Sequence, residues 1–114
     1  MVNAEMEMVI MNLIVDAGSA KSYAMEAIRM AKEGSVSDAE SALDNADEEL
    51  SKAHQAQTDL IQRAAKGEDI EINLFMVHAQ DHIMTAMLAR DLSREIVALY
   101  RKLGDQHESD IQRG

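Results

Sequence analysis

A chain of 114 residues with 46% apolar side chains has the size and the apolar content of one domain built on one core. Its 21 acidic against 11 basic residues leave a net charge of −10, which disfavours nucleic acid or an anionic lipid surface as a partner. With no proline, cysteine or tryptophan, and only two Tyr and one Phe, it lacks the turns of a many-stranded sheet and the staples of a secreted mini-protein, so an all-α protein of a reducing compartment is expected.

The N-terminal stretch MVNAEMEMVIMNLIVD is apolar, but Glu5 and Glu7 interrupt it and no basic leader precedes it. It fits neither a signal peptide nor a membrane span of about 20 apolar residues, and the expected location is cytoplasmic, without membrane insertion. A first helix is predicted over about residues 3–33. It is apolar nearly all round between Met6 and Val15, so it should be covered on more than one side. Gly18 lies inside it, where a close helix approach, a kink near a site or plain tolerance would each account for a glycine. Gly34, Gly67 and Gly104 each follow a stretch bearing Lys or Arg, the arrangement of a left-handed C-terminal residue with cations at the negative helix pole. They are read as three stops.

After the first stop, Ser37-Asp38-Ala39-Glu40 has the form of a capping box and opens a second helix over 37–66. Val36, Ala39, Leu43, Ala46, Leu50, Ala53, Gln57, Leu60 and Ala64 step by three and four, a narrow seam along a helix of about 28 residues and roughly 42 Å. After the second stop, Glu68, Asp69 and Glu71 put negative charge beside a new N-terminus and Asn73 is a possible cap, so a third helix is placed over 72–103. Its seam runs Leu74, His78, Asp81, Thr85, Leu88, Leu92, Ile96, Leu99 and Leu103. The stops recur at about one repeat length, but each interval holds a single helical period and the segments are not alike, which excludes a solenoid. The polar residues 105–114 are expected to fray. The architecture is therefore one domain over 1–104, an antiparallel three-helix bundle. Its surplus apolar surface calls for self-association.

The stretch Val77 to Thr85 is the informative one. His78, Asp81, His82 and Thr85 share one helix face within two turns, and that face is also the hydrophobic seam. An imidazole and a carboxylate set where leucine is expected cost several kcal/mol when buried without partners, so a use is sought. One reading is a satisfied polar layer fixing register in a structural oligomer. A second is transition-metal ligation by His78 and His82 with Asp81. A third makes one imidazole a nucleophile. A zincin site needs glutamate where Ala79 stands, and di-iron bundles need glutamate where Ser51, Phe75 and Ala79 stand. With no phosphate loop, no nucleophile elbow and no cysteine, a histidine that carries a group is left as the enzymatic reading; neutral imidazole is nucleophilic near pH 7.

The string FMVHAQDHIMTAMLARDL, from Phe75 to Leu92, resembles the active-site helix of the lactose/cellobiose-class enzyme IIA component of the bacterial phosphoenolpyruvate-dependent sugar phosphotransferase system. The likeness extends through VIMNLIVDAGSAKSYAMEAI and KAHQAQTDLI to nearly the whole chain. It implies a three-helix bundle that forms a homotrimer. It further implies that His78 is phosphorylated by HPr and passes the group to the cysteine of a cognate enzyme IIB, and through it to the membrane component IIC. The sugar would be lactose, cellobiose, chitobiose or a related β-glycoside. Asp81 matches the aspartate that meets its copies around a magnesium ion on the trimer axis; Gln80 and His82 belong to the same motif as supporting residues. Gln57 either hydrogen-bonds the active histidine or makes a plain core contact, and His54 is a surface residue. Since a IIB unit needs a cysteine and this chain has none, a stand-alone IIA is expected.

Overall fold

The computed structural model describes residues 4–113, and its three helices are α1 (Ala4–Lys32), α2 (Val36–Ala65) and α3 (Leu74–Arg113). The predicted helix start at residue 3 and the final Gly114 of the expected tail lie outside the described residues. A tight connection over 33–35 and a longer one over 66–73 fold the chain up, down and up, so that α1 and α3 run parallel and α2 antiparallel to both, in a rod of 69 × 21 × 19 Å.

Both turns are made the same way. Gly34 and Gly67 each adopt φ of +93°, a left-handed conformation that only glycine enters without strain. The N–H of Gly34 donates to Ala31 O at 3.0 Å and that of Ser35 to Met30 O at 2.9 Å; Gly67 and Glu68 repeat the pattern on Ala64 O at 3.0 Å and Arg63 O at 3.1 Å. These are Schellman closures, which satisfy carbonyls the helix end leaves free.

The capping box at Ser37 does not form. The first closure ends on Ser35, whose carbonyl already accepts the Ala39 N–H at 3.0 Å, so α2 begins at Val36 and Ser37 lies within its first turn. Ser35 itself caps without a side-chain hydrogen bond. At α3 the cap is the predicted one: Asn73 Oδ1 accepts the Met76 N–H at 2.9 Å. Gly104, by contrast, is no stop, and the expected fraying of 105–113 is corrected: α3 continues through Gly104 to Arg113. A glycine ends a helix only by turning left-handed, and among the described residues only Gly34 and Gly67 do so. Beyond Gly104 no proline intervenes, and a Gln106–Asp110 side-chain bond of 3.1 Å spans one turn.

The core is built largely of alanine. Ala17, Ala20, Ala24, Ala27 and Ala31 on α1 are buried, as are Ala39, Ala42, Ala46 and Ala53 on α2 and Ala79 and Ala86 on α3. Small side chains let the helix axes approach closely. Two packed clusters result: one from Met6 to Ile83 holds most of the larger side chains, and a second joins Ala27, Ala31, Leu43 and Val97. Ser93, buried with its Oγ unpartnered, is the exception in this apolar interior. The predicted α2 seam is the buried face from Ala39 to Leu60, with Gln57 half-buried within it and Ala64 exposed at its end. Asp47 of α2 ties this helix to α3 by accepting from Arg90 at 2.7 Å and Arg94 at 2.6 Å, which raises the Arg90 pKa. Such partly exposed pairs contribute at most about 1 kcal/mol and serve mainly to fix register.

Candidate functional site

The α3 seam traced from the sequence turns away from the chain's own core. The buried face of α3 is Met76, Ala79, Ile83, Ala86, Ser93 and Val97; Leu88, Leu92 and Leu99 of the seam remain 59%, 53% and 56% exposed. His78, Asp81 and Thr85 are exposed with them. The expected burial cost at His78 and Asp81 is therefore not incurred within one chain. The physical reason is that α3 carries two apolar stripes, and the alanine-rich stripe, which permits the closer approach, is the one that packs on α1 and α2.

Positions 78 and 82, one turn apart, bring two imidazoles together. His78 Nε2 lies 3.1 Å from His82 Nε2, with the rings edge to face at 87° and centroids 4.5 Å apart. The His82 ring is half-buried towards α1, and its Nδ1 is fully covered and has no hydrogen-bond partner. Burial pushes the His82 pKa down, the neighbouring His78 and Lys21 push it the same way, and Asp81 opposes them. These influences favour the neutral form of His82. Thr85 turns back on its own helix, its Oγ1 donating to Asp81 O at 2.8 Å and His82 O at 3.2 Å.

Gln57 makes no hydrogen bond to His78. Its Nε2 donates to Gln80 Oε1 at 2.8 Å, half-buried between α2 and α3, while Gln80 Nε2 contacts Met76 Sδ at 3.6 Å. The two glutamines clamp α2 to α3 around the core face from His78. His54 is exposed, as expected, beside Ser51 and Arg90 on the α2–α3 groove. Asp81 is an exposed carboxylate, and among the described residues no three His, Asp or Glu side chains converge to hold a metal ion. Sequence reasoning missed one neighbour of the site, Lys21 of α1. The available signal is its isolation: it is the only Lys or Arg before Arg29 on α1.

None of the helices is long and apolar enough to cross a membrane. The family described as "PTS system, Lactose/Cellobiose specific IIA subunit" matches residues 8–101. The lichenan-specific phosphotransferase enzyme IIA component of Bacillus subtilis (strain 168) is 50% identical over 109 residues, 96% of this chain and 99% of that protein. The crystal structure of the PTS cellobiose-specific enzyme IIA from Bacillus anthracis superposes with a TM-score of 0.86 at 41% identity, covering 92% of this chain and 95% of that one. The solution structures of the IIA(chitobiose)–HPr complex of Escherichia coli match with a TM-score of 0.74 at 41% identity, over 86% of this chain and 95% of that chain. The chain belongs to the lactose/cellobiose-specific IIA subunit family of the sugar phosphotransferase system, and is a phosphotransferase component of that relay.

Proposed function

We propose that this chain accepts a phosphoryl group from phospho-HPr on His78 and yields it to the cysteine of a cognate enzyme IIB in the cytoplasm, during uptake of a β-glycoside such as lactose, cellobiose or chitobiose. The observation that carries the reading is His78 itself: an exposed imidazole on a surface another protein can reach, with its Nε2 held 3.1 Å from that of a half-buried His82. HPr as donor accords with the Escherichia coli IIA(chitobiose) structures, which are of a complex with it.

Only one proton fits between the two Nε2 atoms. A covered N–H with no acceptor is costlier to leave than a covered lone pair, so His82 keeps Nδ1 bare and donates Nε2–H to His78. His78 then carries its proton on Nδ1, and Nε2 is the nucleophile. In the in-line step the His82 N–H leaves the His78 Nε2 lone pair, which forms the new N–P bond while the donor's P–N bond breaks and returns its electron pair to the donor imidazole; the proton that His78 Nδ1 gives up to solvent balances the one the donor imidazole takes up. His82 Nε2–H is then free to turn to a phosphoryl oxygen. In the second step the N–P bond breaks as the IIB thiolate sulfur bonds to phosphorus, and His78 recovers its lone pair. Gln57 and Gln80 support the site indirectly, by setting α3 against α2.

The exposed seam of α3 from Asp81 to Leu99 packs, in this proposal, against its copies in a homotrimer and leaves His78 at its rim. Asp81 sits on that seam among Val77, Leu88 and Leu92, and a carboxylate from each of three copies is a donor set suited to a hard cation such as magnesium. The ion would offset their mutual repulsion and so act on assembly.

Incubation with phosphoenolpyruvate, enzyme I and HPr should place one acid-labile phosphate on the chain and none on His78→Ala; unchanged labelling of that variant refutes the assignment. Sedimentation with and without magnesium should report an Asp81→Leu assembly that no longer responds to the ion. An unaltered response removes Asp81 from the axis.

A further inference from the structure

Lys21 is out of place by the chain's own chemistry. It is half-buried, yet forms no ion pair with the described residues, and the positions three and four residues away on its helix are Gly18, Ala24, Ala17 and Met25, none of them acidic. On the parallel α3 the first Lys or Arg is Arg90, so no second cation of these two helices lies at the level of the histidines. A half-buried lysine with no counter-ion is unusual in a chain of net charge −10, where a partner carboxylate would have been easy to supply.

The packing sets Lys21 at the level of the site. Ala17 and Ala20 of α1 share one core cluster with Ala79, Ile83 and Ala86 of α3, so the two helices touch through small side chains at this level. Lys21 follows Ala20 directly, and its charge is near enough to depress the His82 pKa. His82 in turn is 3.1 Å from His78. Two imidazoles 3.1 Å apart and one lysine without an ion pair make a cradle for an anion that the isolated chain lacks.

We propose that Lys21 binds the phosphoryl group during transfer, its ammonium donating to the phosphoryl oxygens in the transition state and in phospho-His78. This rests on the assignment of His78 above. Lys21 forms no covalent bond and gives up no proton in the step. It compensates the charge on the equatorial oxygens while the P–N bonds exchange, and the docked donor protein, by excluding water, strengthens the interaction.

The test is Lys21→Met with Lys21→Arg as the charge-retaining control, both checked for wild-type helicity and sedimentation. Lys21→Met should lower the rate of phosphoryl transfer from saturating phospho-HPr by about tenfold or more, with KM changed less than about twofold, and Lys21→Arg should recover most of the loss. In isolated phosphorylated protein, followed by 31P NMR, the second phosphoryl ionisation should rise by about half a unit or more in Lys21→Met. Wild-type transfer and an unchanged 31P titration in Lys21→Met, with His78 normally phosphorylated, overturn the proposal for Lys21 alone. A raised KM with unchanged 31P titration also overturns it, and assigns the lysine to a carboxylate of the docking protein. Failure of the wild-type chain to take phosphate on His78 overturns the underlying assignment instead.

Discussion

His82 meets two opposed demands within one ring: its Nε2 is tied to His78, and its Nδ1 is covered with nothing to bond. Protonation would strand a charged N–H in the covered side, so folding favours the neutral form and the folded-state pKa lies below the ordinary 6.5, burial being the largest cause. For a depressed histidine, the unfolded chain binds the extra proton first. The associated stability is fully present above pH 6.5 and is lost as pH falls through the folded value. Urea midpoints measured at about pH 7.5 and pH 5.5 should therefore fall on acidification in the wild type and fall less in His82→Gln. Equal falls in the two proteins would show that His82 does not carry this proton linkage. The pair itself was legible in the sequence, since an i, i+4 spacing on a helix dictates it. Which nitrogen is covered was not, because that depends on how closely α1 approaches.

Four glycines fall into two conformations, which the sequence alone does not separate. Gly34 and Gly67 are left-handed and close α1 and α2; Gly18 and Gly104 are ordinary helical residues, and a Cβ added at either meets nothing within 4 Å. Close intrachain approach therefore does not explain Gly18. Alanine there should raise stability by about 1 kcal/mol through its better helix propensity. Alanine at Gly34 should lower it by about 1 kcal/mol, since a Cβ is strained at φ of +93°. Urea denaturation at one fixed protein concentration would show the opposite signs, and a loss of stability in Gly18→Ala would mean that this glycine has a packing duty outside the single chain. The same distinction explains why Gly104 misleads: a preceding cluster of Arg101 and Lys102 is compatible with a helix end but does not compel one.

The molecule as a whole leaves its larger side chains outside. An alanine-rich core buries little apolar area per residue, while Leu88, Leu92 and Leu99 on α3 and Met8, Met11 and Val15 on α1 stay more than half exposed. Burying them between copies is what the chain would gain in the proposed assembly. Because those leucines make no core of their own chain, Leu92→Glu should leave the fold intact and destroy the assembly. The expected result is a far-UV spectrum of unchanged helicity and sedimentation as a single 12.6 kDa chain. Loss of helicity together with assembly would mean that the bundle cannot stand without its copies; retention of the assembly would place the interface elsewhere.

Helix number, the α2 seam, the Asn73 cap, the two Schellman glycines and the pairing of His78 with His82 follow from the sequence by itself, because each is set by spacing within a few turns of one helix. The end of α3, the true first residue of α2 and the orientation of α3 required the tertiary structure. Periodicity reports that a helix has an apolar stripe; it does not say whether that stripe meets its own chain or another, and α3 has two. Close packing chose the alanine face for the interior. That choice turned His78 outward and set Lys21 of α1 at the level of His82, a relation across two helices that no local spacing encodes.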